Sequence, residues 1–273
     1  MRIALVDSGV GLLPAAAALR RARPDAGLVL SCDPDGMPWG PRSPEGITAR
    51  ALRCARAAAA ERPDAVVVAC NTATVHALPA LRAALEPGVP VIGTVPAVKP
   101  AAASGGPFAI WATPATTGSA YQRRLIGEFA PDGRVAEVPC HGLADAVERA
   151  DEAAIAAAVK AAAELTPPET TAIVLGCTHY ELVAARIRAH LLSVTGVAVT
   201  LFGSAEAVAA QVLRRTGRPA APDTADRGGL TVFASGRPAA LPPAALAYAE
   251  GRFLAPSARR ADPPAAGSRG GTA

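Results

Sequence analysis

Two of the chain's five cysteines stand in the same local setting, 107 residues apart (177 − 70). One closes the run Val66-Val67-Val68-Ala69-Cys70-Asn71-Thr72-Ala73-Thr74, the other Ala172-Ile173-Val174-Leu175-Gly176-Cys177-Thr178-His179-Tyr180. In each, a short apolar stretch rich in β-branched residues ends in a thiol, followed by small hydrogen-bonding residues and a helix-forming segment. That pattern predicts a strand delivering a cysteine to a helix N-terminus. A helix N-terminus lowers a thiol's pKa and favours thiolate, so the expectation is two activated thiols approaching one substrate from two sides. A Cys–His hydrolase would use the adjacent His179 but leave Cys70 without a task. No C-x-x-C spacing favours zinc. Cys54 reads as a small apolar core residue, and Cys32 and Cys140 as structural.

Other residues of the right chemistry fall beside these thiols or after other strands. Val6-Asp7-Ser8-Gly9-Val10-Gly11 follows the first apolar run; its glycines allow close backbone approach to a ligand, and Asp7 is a candidate functional acid. It is not a dinucleotide fingerprint, and no Walker A pattern occurs. Asn71, Thr72 and Thr74 follow Cys70, and Thr113, Thr116, Thr117 and Ser119 cluster after another apolar run. Such side chains cap helices, and clustered together they line a polar pocket.

The elements that must carry these residues alternate between strand-like and helix-like, which predicts a parallel α/β architecture. Strands are expected over 2–6, 28–32, 65–69, 90–93, 108–112, 135–139, 171–176 and 197–202. Helices are expected over 12–22, 44–61, 73–85, 117–129, 143–149, 152–164, 180–192, 205–215 and 243–253, with a surface loop over 218–229. Three landmarks recur at nearly one offset: Asp7 and Thr113 (113 − 7 = 106), Cys32 and Cys140 (140 − 32 = 108), and the two thiols. We read this as two similar α/β halves facing each other across a cleft, with ligands bound beyond the carboxyl ends of the strands.

The composition excludes several classes. With 273 residues, half of them apolar, the chain can build a sizeable core, mainly from Ala, Val, Leu and Ile. A net charge of +4 with no concentrated basic face argues against nucleic acid. No apolar run is long enough to cross a membrane, which takes roughly 18 residues, and the first residues lack the pattern of a signal peptide. Five scattered cysteines fit free thiols in a reducing compartment, so the expected location is the cytoplasm. Of 27 basic residues only Lys99 and Lys160 are lysines. Neither looks placed for a pyridoxal-phosphate Schiff base, and no cofactor is expected.

With Asp7-Ser8-Gly9-Val10-Gly11, Met37-Pro38-Trp39-Gly40-Pro41-Arg42-Ser43 and the two cysteine motifs in view, the chain resembles the glutamate racemases of the cofactor-independent aspartate/glutamate racemase superfamily, over about residues 3–254. Lesser matches are Thr113-x-x-Thr116-x-x-Ser119, Cys140 with Glu148 eight residues later, and Ser235-Gly236-Arg237-Pro238. The resemblance implies two α/β domains related by pseudo-twofold symmetry, with the active site between them. The expected division is 1–97 plus 207–254, then 98–206, with a disordered tail over 255–273. It implies a two-base racemisation in which Cys70 and Cys177 exchange the roles of base and acid. Asp7 and His179 would support the thiols, with Glu148 a further candidate. Ser8, Pro38, Trp39, Gly40, Asn71, Thr72, Thr74, Thr113, Thr116 and Thr178 match positions around substrate. The partners implied are a small amino-acid substrate and a second copy of the chain as a homodimer, with D-glutamate destined for the bacterial cell wall. The chain departs from the family at Leu12 (usually Gly), Trp39 (usually Tyr), Gly203 (Asp), and His141 and Glu181 (usually Pro). A sister racemase acting on aspartate, a hydantoin or another α-substituted acid stays open, as does a catalytically weak homologue with a binding role.

Overall fold

The computed structural model describes residues 1–131 and 134–255. It contains two sheets whose strands succeed one another in the same way. The first comprises β1 (Arg2–Val6), β2 (Gly27–Cys32), β3 (Ala65–Val68) and β4 (Val91–Gly93), in the order β2-β1-β3-β4. The second comprises β5 (Phe108–Ala112), β6 (Val135–Pro139), β7 (Ala172–Leu175) and β8 (Thr200–Phe202), in the order β6-β5-β7-β8. All pairings among these eight strands are parallel. The repeat seen in the landmarks is therefore a repeat of the whole four-strand unit. Asp7 and Thr113, Cys32 and Cys140, and Cys70 and Cys177 occupy equivalent strand ends.

The helices are α1 (Leu13–Ala22), α2 (Pro44–Ala59), α3 (Asn71–Leu85), α4 (Val98–Ala103), α5 (Ala120–Phe129), α6 (Leu143–Glu148), α7 (Glu152–Glu164), α8 (Thr178–Glu181), α9 (Ala184–Thr195), α10 (Ala205–Thr216) and α11 (Ala249–Leu254). Alanine decides how they pack. Ala16, Ala17 and Ala18 on α1 and Ala51, Ala55 and Ala58 on α2 are fully or almost fully buried. Small side chains let helix and strand backbones come close, which is how a chain poor in aromatics fills its core. The central strands are apolar on both faces, as expected of a parallel sheet covered on both sides. No helix among the described residues is long and apolar enough to cross a membrane.

The structure departs from the sequence-based expectations in several places. The first sheet has two further strands, β9 (Leu230–Ala234), parallel to β2, and β10 (Arg237–Ala239), antiparallel to β9 at the edge. The chain thus returns to the first sheet after α10, which packs on α1 and against β3 and β4. The helix expected over 180–192 starts earlier, at Thr178, and breaks near Val183, whose ψ of 16° leaves the helical run. The helix expected over 243–253 is a 3-10 turn followed by α11, divided at Tyr248, whose ψ is 149°. α4 was not expected. The 218–229 segment is the irregular loop foreseen. The expected tail, apart from Ala255, lies outside the described residues.

Candidate active site

Five strand ends, those of β1, β3, β5, β6 and β7, open onto one cavity of about 380 Å³. Cys70 is the residue before α3 (φ −139°, ψ 121°) and Cys177 the residue before α8 (φ −136°, ψ 134°). Each cysteine thus leaves its strand in nearly the same conformation, and both line this cavity. They are 7% and 9% exposed, so each thiol has a narrow window onto the cavity and is otherwise packed. The two half-sites are also tied directly. Asn71 Nδ2, next to Cys70, donates to the carbonyl of Gly176, next to Cys177, at 2.7 Å. The Asn71 carbonyl oxygen is held in turn by the Thr94 hydroxyl at 2.6 Å.

Behind the thiols lies a buried set of ionisable groups. Asp7 is fully buried; its Oδ1 accepts the Ser8 N–H at 2.7 Å, and its Oδ2 has no hydrogen-bond partner among the described residues. Burial raises the Asp7 carboxyl from 3.8 to about 6, against the opposing pull of the His179 charge, the Cys70 thiol and the Ser8 N–H. His179 Nε2 lies 3.1 Å from Glu148 Oε2, and its Nδ1 lies 3.8 Å from Cys177 Sγ. Burial lowers the imidazole's proton affinity, but Cys177 and Glu148 at its two nitrogens outweigh that and hold it well above 6.5. With Nε2–H donated to Glu148, Nδ1 is left to exchange a proton with sulfur. Glu148 Oε2 also accepts the Val10 N–H at 2.7 Å. One carboxylate from the second half therefore fixes both the imidazole and the first loop of the first half.

The loop glycines are needed for this closeness. A Cβ on Gly11 would sit 2.5 Å from Asp7 Oδ2, 2.6 Å from Thr178 Oγ1, and closer still to His179 Nδ1. A Cβ on Gly9 would run into the Glu148 carboxylate and come within 2.6 Å of Met37 Sδ.

Most of the expected residues meet here. Ser8, Pro38, Trp39, Gly40, Asn71, Thr72, Thr113, Thr116, Thr178 and His179 line the cavity with the two thiols. Asp7 and Glu148 stand one layer behind. Thr74 does not line the cavity: its hydroxyl lies 3.3 Å from that of Thr94 and accepts the Thr94 N–H at 3.1 Å, so it fastens α3 to the end of β4. The expectation of two lowered thiol pKa values fails at Cys70. Burial and the Asp7 charge push that thiol well above 9, and the Ala73 N–H at the helix start offsets only part of this. Cys140, read as structural, also lines the cavity. Its place at the end of β6 is the signal that could have exposed it. Met37, Gly142, Ala144 and Asp145 join the wall as well.

Sequence reasoning missed Asp33 altogether. It is fully buried and accepts from Trp39 Nε1 (2.9 Å), Arg50 (2.9 Å), Arg53 (3.1 Å) and Ser235 Oγ (2.9 Å). Burial raises its pKa, but these donors outweigh the penalty and leave it below 3.8. Asp33 thus anchors the Met37–Pro41 wall to α2 and to the β9–β10 turn, which gives Ser235-Gly236-Arg237-Pro238 its place in the site.

Two parallel α/β units whose strand ends bring two thiols to one cavity define a class of enzyme site in which sulfur can carry acid–base chemistry on a small substrate. A sequence profile described as Asp/Glu/Hydantoin racemase matches residues 9–213, and the chain belongs to that family. It is 36% identical over 220 residues to a glutamate racemase of Pseudomonas entomophila (strain L48), covering 79% of this chain and 81% of that one. A glutamate racemase of Roseiflexus sp. (strain RS-1) is 36% identical over 215 residues, 77% of each chain. Among solved structures, Escherichia coli glutamate racemase in complex with L-glutamate and the activator UDP-MurNAc-Ala superposes with a TM-score of 0.75 at 29% identity, covering 90% of this chain and 91% of that one.

Proposed function

We infer that this chain interconverts L- and D-glutamate without a cofactor, by abstraction of the α-proton on one face of the substrate and its return on the other. The observation that carries this reading is the pair of thiols that line one cavity from equivalent strand ends of two repeated units. Racemisation needs an acceptor and a donor on opposite faces of a planar carbanion, both within hydrogen-bond reach. Cys70 and Cys177 fill those roles and exchange them with the direction of reaction. Asp7 supports the first and His179, held by Glu148, the second. Negative charge developing on the substrate carboxylate is met by hydroxyl and amide donors, with Ser8, Asn71, Thr72, Thr113, Thr116 and Thr178 on the cavity wall. Thr113 and Thr116, with hydroxyls 3.2 Å apart, form one such donor pair. No Arg or Lys lines the cavity among the described residues, so neutral donors hold a carboxylate substrate.

The chain is best divided as 1–97 plus 207–254 and 98–206, two units that close on substrate; the two separate sheets support this division. A homodimer, a cytoplasmic location and supply of D-glutamate to peptidoglycan complete the reading. Five free cysteines among the described residues support the reducing location; light scattering of the full chain tests the dimer. Incubation with pooled amino acids in D2O, with no cofactor added, tests the function. Deuterium is expected at the α-carbon of glutamate alone. Exchange on aspartate or a hydantoin instead would redirect the substrate, and no exchange would sink the enzymatic reading.

A further inference from the structure

We propose a second ligand site, remote from the thiols, that takes a small organic phosphate. It lies in a hollow of about 400 Å³ between the C-terminal end of α1, the 222–227 segment and α11, lined by Arg20, Arg21, Arg227, Asp226 and Phe253, with Pro24 and Pro222 at its apolar edge.

Arg20 is the key residue. It is only 2% exposed, and burying a cation is costly unless its charge and its N–H groups are met. Three of its N–H bonds go to backbone carbonyls: Pro24 at 2.8 Å, Gly228 at 2.7 Å and Gly229 at 3.0 Å. Its Nε–H is buried without a partner among the described residues, and no carboxylate there forms an ion pair with it. After burial itself, the like charge of Arg227 depresses Arg20's proton affinity, and the Asp25 carboxylate, already forked to Arg23, offsets only part of this. Arg227 donates to the Phe253 carbonyl and stacks over the Phe253 ring, its guanidinium carbon 5.4 Å from the centroid. Arg21 already pairs with Glu206 at 2.9 Å.

With Arg21 already paired to Glu206, the hollow's lining presents Arg20 and Arg227 beside the Asp226 carboxylate, and Arg20 is buried and under-bonded. An oxyanion between Arg20 and Arg227 turns their mutual repulsion into attraction and satisfies forked donors, the geometry that phosphate matches. The hollow is larger than a bare phosphate, and Phe253, 39% exposed, offers a ring face for an apolar or planar remainder of the ligand.

The test uses the full chain with its racemase cavity filled by saturating glutamate, titrated calorimetrically with phenyl phosphate, inorganic phosphate and benzoate at constant ionic strength. One saturable event is expected with phenyl phosphate, weaker with inorganic phosphate and weakest with benzoate. Arg227→Gln should weaken phenyl phosphate binding by about tenfold or more, the value of a lost charge-assisted hydrogen bond. It should leave the melting temperature and the phosphate-free racemisation rate unchanged. Arg20 is left in place because it fastens three carbonyls. Absence of saturable binding, or equal affinity in Arg227→Gln, would overturn the site. Benzoate binding as tightly as phenyl phosphate would overturn the phosphate assignment.

Discussion

Gly11→Ala adds a single methyl group where two thiol-supporting groups converge. The glycine's φ lies outside the left-handed region, so alanine is not excluded by backbone strain. The whole effect comes from what the methyl meets. Ordinary contact for a Cβ begins near 3.4 Å, and here Asp7 Oδ2 would lie at 2.5 Å and Thr178 Oγ1 at 2.6 Å, so they must retreat by about 0.9 Å (3.4 − 2.5) and about 0.8 Å (3.4 − 2.6). His179 must retreat further. It cannot swing freely, because Glu148 holds Nε2 at 3.1 Å and Glu148 itself holds the Val10 N–H. A displacement of about 1 Å in a positioning group can cost about 100-fold in rate, and overpacking costs about 1–3 kcal/mol in stability. Racemisation followed by circular dichroism should therefore fall about 100-fold in kcat. Urea unfolding should report a folded protein weakened by no more than a few kcal/mol. A Gly11→Ala protein within threefold of wild-type turnover would refute the claim that Asp7 and His179 act from these positions.

Cys70→Ala and Cys177→Ala should each abolish racemisation, whereas Cys54→Ala, in the core between α2 and the first sheet, should be nearly silent in turnover; near wild-type activity in either of the first two would end the two-base scheme. Asp7 gives a pH test. Its folded pKa of about 6 lies above the 3.8 of a free carboxyl, so the fold favours the protonated form. That contribution is complete below 3.8 and is lost as pH rises through about 6, amounting to about 3 kcal/mol. In Asp7→Asn this pH-dependent term should vanish, so its urea stability relative to wild type should improve between pH 4 and 7, and parallel stability–pH curves would count against an acid of raised pKa. Glu181→Ala should cost about 1–2 kcal/mol, because Glu181 caps α10 by accepting from Ser204 N–H (2.7 Å) and Ser204 Oγ (2.8 Å). Gly203→Asp should destabilise the wild type, where a Cβ would lie 2.6 Å from Glu181 Oε2, and should rescue Glu181→Ala; additive effects in that double-mutant cycle would dissolve the link.

The last pair explains two of the family departures noted in the sequence. Where the resemblance implies Asp in place of Gly203, this chain carries its capping carboxylate at Glu181, and Gly203 leaves room for it. Neither substitution reads as sensible alone, because the compensation runs between residues 22 positions apart (203 − 181) in different elements. The same reasoning marks what the sequence made legible. Strands ending in thiols, and the repeat that pairs them, are local or periodic features, and both were readable. β9 and β10 were not, because a short strand at a sheet edge gains its identity from the partner it pairs with. Asp33 was invisible for the same reason, since its four donors come from Trp39, α2 and the turn after β9. The Cys70 pKa was misjudged because helix position is written in the sequence whereas burial is not.

That misjudgement bears on how the proposed mechanism works. The two half-sites are copies in backbone but not in what surrounds the sulfur. Cys177 faces an imidazole whose far nitrogen is held by a carboxylate, so a proton can pass between sulfur and nitrogen within one hydrogen bond. Cys70 faces a carboxylate instead, and ionising it places two negative charges side by side in a buried place. A thiol so disfavoured as an anion is a strong base once formed and a reluctant acid before. The substrate's ammonium group is the positive charge that can offset this cost when it enters the cavity. Each passage of substrate in one direction leaves the two thiols in the protonation states that the opposite direction needs, and Asp7 and His179, which both border the space beside Gly11, hold those two states in unlike surroundings.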